Sequence, residues 1–302
     1  MHPQMWRHLF TPSDSPDESR LAHLPPNFKP SAIPSHKEIL SILRDSDPDT
    51  VTIVALGPLT NLALAPHDDP ETFMRAKEVV VMGGALKIEG NVTPVAEFNH
   101  YVCAYSAVRI YALTSLSSAS TMPTYRELGR YPPLSERLNL TTMPLDISTY
   151  HHLSFPTFDR FTRSLANHGS PLSKWVCHFV LAMFKHIAEV YEGNCKLDAL
   201  FSLHDPLCVW YVLTSNSGKW RCQEEVDVRI EVEGQWTRGM CVVDRRNIKV
   251  EEDLEKPVKK GDCRVWFHKE MCNRVRVAID SPDRDAFSAK VLRRIFPNQE
   301  SE

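Results

Sequence analysis

The run from Glu78 to Met82 constrains the fold more than any other stretch of the chain. Three successive valines at positions 79–81 make it continuously apolar and β-branched, which is typical of a strand buried on both faces of a parallel sheet. Gly83 and Gly84 then end the strand. Ligands bind outside the carboxyl ends of the strands in open α/β sheets, so the polar loop that follows is placed for binding.

This loop carries Asn91, Glu97 and Asn99. Two amides and a carboxylate that converge in this way suit a polyol. Each residue alone also has a simpler explanation, because asparagines commonly form turns and a glutamate is commonly a solvated charge. Their presence together after a buried strand predicts a sugar-binding site.

Composition limits the kind of protein this is. The 302 residues are 42% hydrophobic and 24% charged, which is enough for one large α/β domain or two small ones. Residues 1–35, rich in Pro, Ser, Asp and His, are predicted to be a mobile N-terminal segment, and residues 36–302 to form the folded domain. The net charge of -3 argues against a nucleic-acid partner.

The chain also lacks the usual marks of a membrane or secreted protein. Its longest apolar runs, such as residues 175–187, are too short and too polar to span a bilayer, and the N-terminus does not have the pattern of a signal peptide. The eight cysteines include no C-x-x-C pair and are expected to be free thiols. We therefore expect a cytoplasmic protein.

Periodicity predicts an open, mostly parallel, doubly wound α/β sheet with helices on both faces and a small C-terminal β segment. The strands are expected at 51–55, 78–82, 142–147 and in short pieces within 222–279, including 265–267. The helices are expected at 35–44, 70–77, 106–113, 172–192, 207–213 and 281–296. Asp45, Asp47 and Asp49 could form a metal loop or an ordinary turn, and they lie at the amino end of the sheet because they precede the first of these strands.

A second polar group opens the helix predicted to begin at Leu207. Pro206 suits a first-turn position, and Asp205 lies where a helix cap is expected. His204 and Asp205 are thus either a cap with a neighbouring histidine or part of a site.

Four segments then carry a family resemblance. They are Val-Ala-Leu-Gly-Pro-Leu-Thr-Asn-Leu-Ala-Leu-Ala at 54–65, the 82–99 loop, His-Asp-Pro at 204–206 and Thr-Arg-Gly-Met-Cys-Val-Val-Asp-Arg-Arg at 237–246. In this order they resemble the inosine-uridine preferring nucleoside hydrolases. The resemblance implies a calcium-dependent N-ribohydrolase that converts a nucleoside and water into ribose and a free base, and a tendency to form homo-oligomers.

The resemblance also implies roles for individual residues. The Thr60 backbone carbonyl and the Asp205 carboxylate are similar to calcium ligands, and Asp205 also to a ribose contact. Asn91, Glu97 and Asn99, with the Met82 backbone, would hold the ribose hydroxyls. His204 would lie near the leaving base and help to protonate or orient it. Three aromatic residues could stack on the base or belong to the core: Phe184, Tyr191 and Trp210.

The sequence departs from the family pattern in two places. Members begin with a strand that ends in an Asp-rich motif, D-x-D-x-x-x-D-D, which supplies most calcium ligands and the base that activates water. No such motif occurs here, so we expect an N-terminally shortened member without the family's first strand, with an incomplete calcium site and impaired activity. The alternative is a noncatalytic nucleoside-binding, ribose-binding or oligomer-partner protein. Cys103 stands where relatives often have Asp, and little consequence is expected.

Overall fold

A computed structural model of the chain describes residues 31–122, 129–163, 170–190, 199–246 and 266–296. Its strands are β1 (Thr52–Ala55), β2 (Glu78–Met82), β3 (Leu140–Met143), β4 (His152–Ser154), β5 (Leu200–Ser202), β6 (Arg221–Val226), β7 (Arg229–Ile230), β8 (Cys241–Val242) and β9 (Val275–Asp280). Its α-helices are α1 (Ser35–Asp45), α2 (Thr60–Asp68), α3 (Pro70–Phe73), α4 (Phe98–Val102), α5 (Ala104–Ala112), α6 (Ser118–Thr121), α7 (Leu145–Ser148), α8 (Phe155–Thr162), α9 (Pro171–Val190), α10 (His204–Thr214) and α11 (Phe287–Ile295).

The central sheet has the strand order β1-β2-β3-β9-β6. The first four of these strands run parallel, and β6 pairs antiparallel with β9. Two small antiparallel pairs, β4 with β5 and β7 with β8, lie outside it. The predicted mostly parallel α/β fold is therefore confirmed. The C-terminal strands are divided, since β9 and β6 extend the central sheet and only β7 and β8 form a separate pair.

Strand β2 shows why both faces of the sheet are covered. Val79 and Val81 belong to one buried apolar cluster, and Val80 belongs to another on the opposite face. The first cluster includes Leu40, Phe73, Ile110 and Tyr111, and the second includes Phe158, Phe184 and Phe287. Side chains alternate across a strand, so a run of three valines supplies apolar groups to both layers. This confirms the two-sided burial expected from the sequence.

Several predicted boundaries were wrong for identifiable reasons. The third strand ends at Met143 and not at Ile147, because Pro144 follows it and α7 begins at Leu145. The helix predicted at 70–77 ends at Phe73. The helix predicted at 106–113 begins at Ala104, directly after the separate helix α4. Within the strand predicted at 265–267, residues 266–267 form a turn, and Val265 lies outside the described residues.

The structure also describes the acidic segment before β1 and most of the cysteines. Asp45 ends α1, and the residues after it form a turn in which the Asp47 carbonyl accepts a 2.6 Å hydrogen bond from the Thr50 hydroxyl and Asp49 takes a left-handed conformation. The six described cysteines are free, and Cys195 and Cys263 lie outside the described residues, as does most of the predicted N-terminal segment. None of the helices in the described ranges is both long and apolar enough to cross a membrane.

Candidate functional site

The predicted site residues meet at the carboxyl edge of the parallel sheet. Strand β2 ends at Met82, and the following loop leads through Asn91 to Glu97 at the start of α4. Helix α10 packs against β2 and brings His204 and Asp205 to the same side. The loop after β2 and the first turn of α10 are therefore neighbours in the fold although they are distant in sequence.

Glu97 is the centre of this arrangement. Its side chain is only 1% exposed and caps α4, accepting hydrogen bonds from the backbone N–H groups of Asn99 at 2.7 Å and His100 at 3.2 Å. It also accepts a 3.0 Å bond from the N–H of Gly84. A carboxylate has about four acceptor positions, so roughly one remains for an outside hydroxyl. The alternative of a solvated charge is excluded by this burial.

The ionisation of Glu97 links it to Asp205. Burial raises the pKa of Glu97 above its usual value, the three backbone N–H bonds oppose that rise, and the Asp205 charge adds to it. Partial desolvation likewise raises the pKa of Asp205, although this residue is exposed at the surface. The Asp205 charge therefore acts on the Glu97 carboxyl group.

The two asparagines contact the same loop. The Asn99 side-chain amide is buried and donates a 3.0 Å bond to the Met82 backbone carbonyl. The exposed Asn91 accepts a 2.9 Å bond from the N–H of Phe98 through its Oδ1 atom. Both asparagines therefore stabilise the turn around Glu97, and the Asn91 side chain is exposed.

His204 is held by a neighbouring serine. Its Nδ1 atom lies 2.8 Å from the hydroxyl oxygen of Ser148, which is completely buried at the end of α7. Burial lowers the pKa of His204 to about 4. Helix α10 begins at His204 itself, and neither His204 nor Asp205 caps it through a side chain. The prediction that Asp205 occupies the cap position was therefore wrong.

We expect His204 to be neutral at pH 7, with an imidazole proton NMR titration midpoint well below 6.5. Because the folded state binds this proton less readily than the unfolded chain, the stability that His204 contributes is fully present above about pH 6.5 and is lost as the pH falls towards 4. The unfolding free energy of the wild type should decline over this window relative to that of His204→Gln. A midpoint at or above 6.5 would contradict this result.

A buried histidine–cysteine pair packs against the two glycines at the start of the loop. His100 is fully buried, and its Nδ1 atom lies 3.2 Å from the Cys241 sulfur. Burial lowers the pKa of His100 to about 4 and raises that of Cys241 to about 12, so both are neutral. A Cβ atom on Gly83 would lie 2.9 Å from His100 Nε2, and one on Gly84 would lie 2.9 Å from the Cys241 sulfur. The two glycines are thus needed for close packing as well as for ending β2.

The Thr237–Arg246 segment fixes the loop from the other side. Met240 forms an isolated antiparallel bridge with Ala96, and Arg238 donates a 3.2 Å hydrogen bond to the Tyr101 carbonyl. Arg245 donates to the Leu86 carbonyl. This motif therefore positions the loop after β2 and supplies none of the polar groups identified at the site.

Two residues that follow β3 were not predicted from the sequence. Asp146 accepts 2.8 Å bonds from the backbone N–H groups of Leu86 and Lys87, and Ser148 holds His204. Their position just after a buried strand was the available signal, because polar residues there lie at the same sheet edge as the loop after β2.

The remaining candidates have structural contacts or lie outside the described residues. Thr60 is the exposed first residue of α2, and its side chain bonds with Cys103. Burial raises the pKa of Cys103, but hydrogen bonds with Ser106 and Thr60 and the Arg238 charge outweigh it, so the net shift is downward. Phe184 is a core residue, and Tyr191 lies outside the described residues.

The available ligands do not match the needs of calcium. Calcium takes six to eight oxygens. In the described ranges no three His, Cys, Asp or Glu side chains are grouped so that they could hold a metal ion. The Thr60 carbonyl and Asp205 carboxylate alone fall short of that number, so the residues described do not fit a calcium site.

Comparison with known proteins gives one family. A profile of the inosine-uridine preferring nucleoside hydrolases matches residues 11–289. The chain is 33% identical over 219 residues to an uncharacterized protein of Schizosaccharomyces pombe, a match covering 70% of this chain and 59% of the relative. It is 30% identical over 224 residues to the inosine-uridine preferring nucleoside hydrolase of Leishmania major, covering 74% and 60% of the two chains.

Solved structures agree in fold. A plant nucleoside hydrolase superimposes with a TM-score of 0.62 at 21% identity, covering 90% of this chain and 70% of that one. A purine-preferring ribonucleoside hydrolase from Gardnerella vaginalis gives a TM-score of 0.57 at 22% identity, covering 89% and 66%. The chain spans about 60% of the length of the two curated relatives named above.

Proposed function

Since the chain belongs to the inosine-uridine preferring nucleoside hydrolase family, we propose that its carboxyl-edge site binds the ribose of a nucleoside for hydrolysis of the N-glycosidic bond. The observation that carries this proposal is the cluster formed by Met82, Glu97 and Asn99, in which a buried carboxylate and an amide are fixed beside the end of β2. Asp205 adds a second acid to the cluster.

These residue types suit the sugar. Vicinal ribose hydroxyls can donate to the remaining acceptor position of Glu97 and to Asp205, and accept from the Asn91 amide. Cleavage passes through a cationic, oxocarbenium-like ribose, which nearby carboxylates stabilise. Fixed groups stabilise that charge without reorganising during the reaction.

His204 is proposed to orient the leaving base. In the overall reaction the water oxygen bonds to C1′, the C1′–N bond breaks, and the base nitrogen gains a proton that water supplies. A neutral imidazole can help by hydrogen bonding. If the Ser148 hydroxyl donates to Nδ1, then Nε2 carries hydrogen and can donate to the base. Its low pKa argues against a protonated His204 as the general acid at neutral pH.

A second candidate function is ribose binding without hydrolysis. The observation that favours it is the small ligand set for calcium among the described residues. Both candidate functions use the same ribose-binding residues and differ in whether the bound nucleoside is hydrolysed. Cytoplasmic location and homo-oligomer formation remain predictions, the first supported by the six free thiols.

Calorimetry tests the shared binding site, and a reducing-sugar assay separates the two candidates. We expect ribose, inosine and uridine to bind with affinities within about tenfold of one another, because the proposed contacts are mainly to the sugar, and a 2′,3′-dideoxynucleoside to bind far more weakly. Asn91→Ala should reduce ribose affinity about tenfold, corresponding to one lost hydrogen bond. Release of ribose would favour hydrolysis, and binding without release would favour the second candidate.

Asn139→Ala is the matched control for Asn91→Ala. Asn139 also contacts the backbone, donating a 3.2 Å bond to the Lys77 carbonyl, but it lies at the opposite edge of the sheet. Its substitution should leave ribose affinity unchanged. Absence of ribose binding, or equal loss in the two variants, would refute the proposed site.

A further inference from the structure

Helices α10 and α11 leave an apolar cavity of about 580 Å³ between them. It is separate from the ribose cluster. The apolar part of its lining consists mainly of Val209, Trp210, Leu213, Phe287, Val291 and Ile295. Leu213 is 69% exposed, so this apolar surface is open to solvent. The volume lies within the range of about 300–1,000 Å³ typical of small-molecule pockets.

Cationic side chains from α11 line the same cavity. Lys290 pairs with Asp283 at 2.6 Å, and its ammonium lies 4.9 Å from the centre of the Trp210 ring. Arg293 and Arg294 are exposed, and within the described residues neither has an ion-pair partner. The cavity therefore combines an apolar surface with two arginines whose charge no ion pair among the described residues balances.

An unused hydrogen-bond donor adds an independent observation. The indole nitrogen of Trp210 is buried and has no hydrogen-bond partner within the described part of the chain. A buried donor without a partner is energetically unfavourable. A ligand with an acceptor group would remove this cost while its apolar portion covered Leu213 and Val209.

We propose that this cavity binds a small amphipathic anion with an apolar tail and a single carboxylate, of the fatty-acid type. The tail covers the apolar lining, and the carboxylate accepts from the Trp210 indole N–H and is held by Arg293 and Arg294. A second copy of this chain is a poorer occupant, because packing the two cavities together would oppose the same cations. The cavity also includes Pro206, so its occupant touches the turn that carries His204 and Asp205.

Calorimetric titration of the full chain with decanoate, below its micelle concentration, tests the proposal. We expect saturable binding of one decanoate per chain, at least tenfold weaker binding of neutral 1-decanol, and weakening of decanoate binding with added salt. Leu213→Asp should weaken decanoate binding at least tenfold. It places a charged group against the apolar tail, and this group has the same sign as the decanoate carboxylate. The double variant Arg293→Ala/Arg294→Ala should weaken decanoate binding while leaving decanol binding unchanged.

Leu172→Asp provides the matched control. Leu172 is 59% exposed on α9 and does not line the cavity, so its substitution should leave decanoate affinity unchanged. Equal losses in Leu172→Asp and Leu213→Asp, or no saturable binding, would overturn the proposal. So would a dimer that Leu213→Asp converts to monomer, or decanoate binding that occurs only after residues 297–302 are removed, because the occupant would then be a second copy or the chain's own C-terminus.

Discussion

Replacing Glu97 with alanine is expected to destabilise the protein by about 3 kcal/mol and to abolish measurable ribose binding. The substitution leaves the N–H groups of Gly84, Asn99 and His100 without their acceptor. A buried unsatisfied donor costs about 1–3 kcal/mol, and relief of the desolvated carboxylate offsets part of the sum. Urea unfolding gives the stability change, and calorimetry gives the loss of affinity.

Two variants make this result specific. Glu97→Gln retains one side-chain oxygen and should lose less stability than Glu97→Ala. Asp69→Ala removes a comparable cap at α3, where Asp69 accepts a 3.0 Å bond from the Thr72 N–H, but that site is partly exposed and should cost only about 1 kcal/mol. If Glu97→Ala and Asp69→Ala cost the same, the buried carboxylate is not the centre of the loop.

The pH dependence of Glu97 has a defined sign. Its pKa is raised in the folded state, so the folded protein binds this proton more readily than the unfolded chain does. The associated stability is present below about pH 4.5 and is lost as the pH rises through the raised pKa. The stability of the wild type relative to Glu97→Gln should therefore decrease over that interval.

Gly239→Ala is expected to destabilise the protein by about 3 kcal/mol and to weaken ribose binding. Gly239 has φ of +78°, and an added Cβ would lie 2.6 Å from the Tyr101 Cα atom and 2.8 Å from its nitrogen. A left-handed conformation costs a non-glycine residue about 1–2 kcal/mol, and overpacking against backbone typically adds 1–3 kcal/mol. The clash falls on α4, the helix that Glu97 caps.

Gly218→Ala separates these two costs. Gly218 also has a positive φ, of +69°, but a Cβ there would meet no atom within 4 Å. It should cost about 1 kcal/mol, from backbone conformation alone, and leave ribose affinity unchanged. Equal unfolding free energies for the two variants would show that Thr237–Arg246 does not hold the loop against α4.

Local sequence patterns were sufficient to predict the layers of the fold and the position of the loop after β2 at the carboxyl edge of the sheet. The valines of β2 predict burial on both faces, and Gly83 and Gly84 predict the end of that strand. The same patterns could not predict that β9 inserts beside β3, since pairing between distant segments leaves little trace in local periodicity. Pro144 indicated the end of the third strand. The apolar residues after it led to a predicted strand that was too long and that included Asp146.

Contacts between distant segments explain the rest of the site. The Ser148–His204 and His100–Cys241 pairs join residues 56 and 141 positions apart. The sequence pattern places Asp205 at the cap position of the helix. In the structure α10 begins one residue before Asp205, at His204, so the Asp205 carboxylate does not cap the helix. Polar residues that break a local rule in this way are expected at functional positions.

The most direct test of the ribose site is a crystal structure of the chain with ribose or a nonhydrolysable nucleoside analogue. The sugar hydroxyls should lie within about 3 Å of polar atoms of Glu97 and Asn91, beside Asp205, at the carboxyl end of β2. A polar cavity of about 510 Å³ lies at the opposite edge beside Glu78, Tyr211 and Arg276. A sugar bound in that cavity, with the Glu97 loop empty, would contradict the account.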